Sequence, residues 1–129
     1  MKYIILVIAL TAPISAFATA SFDERAREAH RLERASDQRA YQATLRSRLA
    51  PKMNTLMARC ARMTNGAKPR PFTVVGDITR TSSVVNIKVK PSSALAKCFA
   101  SALSSISLPA PPDSFAGNAY PIAMDMTFH

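Results

Sequence analysis

Three glycines, two histidines and no tryptophan are all that this 129-residue chain holds of three residue types on which much active-site chemistry depends. So few glycines leave no room for a phosphate-cradling loop, and no nucleophile elbow occurs. His30 and His129 stand far apart and belong to no His/carboxylate metal motif, so no metal cluster is expected. The two cysteines, Cys60 and Cys98, are too distant in sequence for a C-x-x-C redox or zinc motif. Acidic residues are scarce after residue 39, where only Asp77, Asp113 and Asp125 remain. The expectation is a non-enzymatic protein with no catalytic residues, no metal and no cofactor.

The only long apolar run is at the start, MKYIILVIALTAPISAFATA. It is about 16 residues long, short of the roughly 20 that span a bilayer. Lys2 makes a positive n-region, Tyr3 to Leu10 an apolar core, and Ala18-Thr19-Ala20 a small-x-small cleavage site. Residues 1–20 therefore read as a cleaved secretory signal, which places the rest in the periplasm. In that oxidising compartment a lone cysteine pair bonds, so a structural Cys60–Cys98 disulfide is expected.

Charge is unevenly placed. Residues 21–39 hold Arg25, Arg27, Arg31, Arg34 and Arg39 against Asp23, Glu24, Glu28, Glu33 and Asp37. Residues 40–129 hold eleven lysines and arginines and only the three aspartates named above, within a whole-chain net charge of +9. A basic domain attracts acidic protein faces or an anionic membrane surface. Export, and the lack of aromatics among the basic residues, argue against nucleic acid.

Residues 21–63 read as helix. The first part, 21–40, has little apolar content and opposite charges three or four apart, as in Asp23 with Arg27 and Glu28 with Arg31. It reads as a solvated charged arm held by surface pairs. From Tyr41 an apolar face repeats through Leu45, Leu49, Met53, Leu56 and Cys60, interrupted by Pro51, which should kink the helix or begin its second part. Asn65-Gly66 ends it. Residues 71–79 and 83–90 read as two strands joined by Arg80-Thr81-Ser82 in an antiparallel hairpin, with Val85, Ile87 and Val89 on one side. A second helix follows over 92–107, capped by Ser92 or Ser93, with Leu95, Cys98, Phe99, Ala102, Leu103 and Ile106 as its stripe. Pro109, Pro111 and Pro112 stop it. Tyr120, Ile122, Met124, Met126 and Phe128 then alternate with Pro121, Ala123, Asp125 and Thr127 in a last strand.

This order predicts an α+β fold: a two-layer arrangement of a three-stranded antiparallel sheet packed against two helices (α-β-β-α-β), with an N-terminal helical arm. The domains are then 1–20 signal, 21–40 arm and 41–129 globular domain. Asp77 and Asp125 are expected as solvated acids on the sheet's other face, and His30 as solvent-exposed in the arm.

SSALAKCFASALSSISLPAPP, followed by the alternating strand and preceded by the entry helix YQATLRSRLAPKMNTL, resembles the C-terminal domain family of TonB and TolA over residues 41–128. In that family a P-x-P or P-x-P-P segment, here Pro109 to Pro112, separates the second helix from the last strand. The resemblance implies a non-enzymatic adaptor of the cell envelope, with partner segments pairing along the edge of the last strand. Carried over, the partner-binding positions are Tyr120, Pro121, Ala123, Asp125 and Thr127. The partner class is an envelope protein or peptide segment, and an open edge also permits a homodimer by strand exchange. Two other readings stand beside it: an inhibitor or immunity-type protein or envelope/secretion-complex subunit docking through the arm, and an outer-envelope structural protein held by its positive charge on anionic lipid or peptidoglycan.

Overall fold

In a computed structural model, residues 20–128 are described. The signal-peptide reading of 1–20 falls almost wholly outside them. The first helix, α1 (Phe22–Arg34), starts at Ser21, whose hydroxyl accepts the Glu24 N–H at 3.2 Å. Asp23 and Glu24 in its first turn and Arg31 and Arg34 in its last complement the helix dipole. At Ala35 the backbone turns extended (φ −71°, ψ 129°), and one 3-10 turn, Ser36–Gln38, leads into α2 (Arg39–Cys60). The single long helix expected over 21–63 is therefore two helices. The second runs unbroken through Pro51. Pro51 and Ser47, whose carbonyl would otherwise receive the missing N–H, are both exposed, so water can supply that bond. A further 3-10 turn, Ala61–Thr64, ends at Asn65 (φ 51°) and Gly66 (φ 80°), both left-handed.

Strands β1 (Phe72–Thr79), β2 (Val84–Lys90) and β3 (Ala119–Met126) form an antiparallel sheet in the order β2-β1-β3. Helix α3 (Ala94–Leu103) lies between β2 and β3 in sequence, capped by Ser93. Alternation along β1 sends Phe72, Val74 and Ile78 to one face, where Leu56, Cys60, Leu95, Phe99, Leu103 and Tyr120 close the main core. This is the expected sheet on two helices. The Cys60–Cys98 disulfide is formed, with Cα atoms 5.7 Å apart, and ties the end of α2 to α3.

Two further findings differ from the sequence reading. The first concerns β2. Val75 pairs with Lys88 but Asp77 with Val85, so two residues of β2 oppose Gly76. Asn86 adopts φ 53° at this bulge. An extra residue reverses the side-chain parity beyond it. Val84 thus turns into the core while Val85 points out, 37% exposed. The approach at Gly76 is close, since an added Cβ would meet Val84 Cγ1 at 3.2 Å and the valine would have to shift.

The second concerns the arm. Helix α1 is not free in solvent. Its Phe22, Ala26 and Ala29 pack on Val75 and Ala123, residues that alternate to the face opposite the main core. Ala29 is 1% exposed. Small residues on both sides let the helix come close to the sheet, and so α1 adds a layer on the second face. Leu32, at its far end, already joins the main core, so the chain passes around the β3 edge between α1 and α2.

The hairpin link is Arg80-Thr81-Ser82, as expected. Ser82 sits at φ 68°, the left-handed position that three-residue hairpins usually give to glycine. Ser82→Gly relieves that cost and is expected to raise stability by roughly 0.5 kcal/mol, read as a small upward shift in the thermal midpoint. An unchanged or lower midpoint would show that the serine is not strained.

Candidate functional site

Residues 104–118 carry the chain from α3 to β3, and a single side chain organises them. The Arg80 guanidinium donates from Nη1 to the carbonyls of Pro111 (3.3 Å) and Pro112 (3.0 Å). From Nη2 it donates to those of Phe115 and Gly117, the latter at 2.8 Å. The segment is also held from α2, where the Tyr41 hydroxyl donates to Pro109 O at 2.7 Å and Lys52 Nζ to Ser107 O at 3.0 Å. Leu108 N–H donates to Ser82 O at 3.1 Å. Pro111 and Leu108 are buried. The prolines thus fit a mould made by the hairpin tip and α2, and β3 leaves it in a fixed register.

Tyr120 marks that exit. It is fully buried, its ring lies 4.7 Å from both Tyr41 and Phe115, and its hydroxyl accepts from Gln42 Nε2 at 2.9 Å. Burial raises the pKa of the Tyr120 hydroxyl above the usual phenol range, and raises that of Tyr41 for the same reason.

Strand β3 is an edge strand, and its outer backbone makes no bond to another segment among the described residues. Proline is tolerated in a strand where its missing N–H faces away from the ladder. Pro121 pairs with Asp77 across β1, so residues 121, 123 and 125 turn their backbone groups outward. Beside them lies a slot of about 200 Å³. Ala29 and Glu33 of α1 wall it on one side of the sheet, and Leu45, Arg46 and Leu49 of α2 on the other. Ile122, Ala123 and Met124 line its floor. The opposite edge is defended. Strand β2 carries the Asn86 bulge, Lys88 and Lys90, the devices that blunt edge pairing.

The sequence-predicted positions divide accordingly. The side chains of Tyr120 (0% exposed) and Ala123 (7%) are buried, one in the core and the other under Ala29, which leaves Ala123 its backbone and a place on the slot floor. Pro121 is half-buried at the slot. Asp125 is exposed, but it accepts from the Thr73 hydroxyl at 2.6 Å and lies 3.4 Å from His30 Nε2. His30 is only half-exposed, because it stands between Asp125 and Glu33. Thr127 is exposed beyond the strand's end. Asp77 is not a solvated acid: Arg25 Nη2 reaches it at 3.5 Å, and the same nitrogen donates to Asn86 O at 2.6 Å. What β3 offers a partner is therefore backbone, flanked by helical walls, rather than its side chains.

The sequence does not foretell the α1 wall, because its charge pattern reads as a solvated helix. The Phe22-Ala26-Ala29-Leu32 stripe is the available signal, together with the small Ala123 on the face it covers. Among the described residues no three His, Cys, Asp or Glu side chains gather as a metal site, and no helix is long and apolar enough to cross a membrane. The disulfide is compatible with a location outside the cytoplasm. Comparison with known proteins finds no matching family model, no similar curated protein and no similar solved structure.

Proposed function

We propose that the protein is a non-enzymatic periplasmic adaptor of TonB/TolA C-terminal-like type, which captures an extended segment of an envelope protein along the free edge of β3. The observation that carries this reading is the outward backbone of residues 121–125 beside the slot between α1 and α2. An added strand would satisfy those groups, and alternate side chains would enter the slot. The slot is mainly apolar, with Arg46 and Glu33 at its rims. Docking through a free arm is disfavoured, because the apolar stripe of α1 is already spent on the sheet.

A photo-crosslinking residue placed at Arg46, Lys88 or Arg27, in the native host's envelope, tests the reading. All three positions are exposed. Adducts from position 46, mapping to an extended segment of an envelope protein, with none from 88, are expected. Adducts confined to position 27 would overturn the edge reading in favour of docking on the outer face of α1. Equal adducts from 46 and 88 would also overturn it.

A further inference from the structure

The ion pairs gather around one helix. Each one among the described residues has a partner on α1: Arg25–Asp77, His30 with Glu33 and with Asp125, Arg31–Glu28, and Lys90–Asp23. The end of α2 has no acids to pair. No Asp or Glu occurs between Asp37 and Asp77, a stretch that includes Arg59, Arg62, Lys68 and Arg70. These four cations are exposed or half-exposed and belong to the end of α2, the 3-10 turn Ala61–Thr64 and the loop into β1. Among them stands Met63, the most exposed large apolar residue described, at 52%. It borders a shallow depression of about 170 Å³ that also takes in Ala67, Lys68, Pro69, Arg70 and Leu95.

We infer that this end of the molecule seats on the surface of an anionic lipid bilayer. Lys68 and Arg70 line the depression that Met63 borders, and Arg59 and Arg62 precede Met63 by four residues and one in sequence. Such an arrangement suits a plane of headgroup phosphates with an acyl boundary beneath it. A soluble acidic polypeptide or a nucleic acid would use the charges but leave the methionine in water. The aliphatic stems of Lys and Arg can lie along the interface while their charges stay with the phosphates. The surface is separate from the β3 slot. The slot is lined by α2 residues 42–49 and the cationic end lies near residue 60, about 20 Å further along the helix at 1.5 Å per residue. The inference therefore does not rest on the adaptor reading.

The test is flotation with vesicles of phosphatidylcholine alone or with 30% phosphatidylglycerol. Wild-type protein is compared with a quadruple variant (Arg59→Gln, Arg62→Gln, Lys68→Gln, Arg70→Gln) and with Met63→Ser. All carry the same N-terminal segment, so a difference between them arises from the substituted residues. Each cation near an anionic surface contributes about fivefold, so the quadruple variant is expected to bind the anionic vesicles roughly six-hundredfold more weakly. Met63→Ser is expected to weaken vesicle binding severalfold without changing binding to polyglutamate. Wild-type binding to the anionic vesicles should fall steeply with added salt. Undiminished binding by the quadruple variant would overturn the inference. So would equal wild-type binding to both kinds of vesicle. Tighter binding to polyglutamate or an oligonucleotide than to the anionic vesicles, unaffected by Met63→Ser, would replace the bilayer with a soluble acidic partner.

Discussion

Replacing both cysteines, Cys60→Ala with Cys98→Ala, is expected to lower stability by about 4 kcal/mol. The bridge closes a loop of sequence separation 38. The chain-entropy model assigns a crosslink of that span roughly 4 kcal/mol through the unfolded state. The loop matters because of what lies inside it: β1, β2 and the hairpin, which are the centre and one edge of the sheet. Without the bridge, the end of α2 and the start of α3 must find each other by packing alone, through Leu56, Leu95 and Phe99. For a folded body of this size, about 4 °C per kcal/mol gives a midpoint roughly 15 °C lower. Thermal unfolding of the double variant, and of the reduced wild type, measures it. A fall of less than a few degrees would mean that α2–α3 packing already restrains the unfolded chain. Removing both cysteines avoids the free thiol that a single substitution would leave in an oxidising medium.

Arg80→Ala is expected to cost about 2–3 kcal/mol, although the residue lies at an exposed hairpin tip. Its guanidinium serves four backbone carbonyls of the proline segment. Hydrogen bonds from a charged donor are worth more than neutral ones, and exposure to water reduces the sum. Arg80→Lys should recover only part of the loss, because one ammonium lacks the planar fork that reaches both pairs of carbonyls. Amide exchange distinguishes this from a general loss of stability. Protection should fall over 112–120 before it falls over β1. If the two segments lose protection together, Arg80 is not what holds the segment in register. The same variant should weaken partner capture at β3, since that strand starts where the clamped segment ends.

Much of the fold was legible because it follows from local rules. The apolar repeat from Tyr41 to Cys60 has one helical reading. Alternation from Tyr120 to Phe128 has one strand reading, and prolines at 109, 111 and 112 permit no helix between. A lone cysteine pair on the stripes of two helices implied its own bond. Three features were less legible. The parity of β2 changed at Asn86, since a bulge depends on pairing with β1 and leaves no periodic trace. The burial of Ala123 and Val75 depended on α1, whose alanine-rich stripe carries too little hydrophobicity to stand out from an exposed helix. The role of Arg80 was not legible either, because its acceptors are backbone carbonyls more than 30 residues away, and carbonyls have no sequence signature.

By itself, then, the sequence determined the order and type of the elements apart from the break between α1 and α2, the disulfide, and the cationic character of everything after residue 39. Each depends on residue identity at short range: periodicity, proline geometry, cysteine count and charge. Only the tertiary structure decided which face α1 covers, which strand keeps an open edge, and where the unpaired cations gather. Those outcomes depend on how distant segments pack, and burial is shared between partners that neither segment specifies alone.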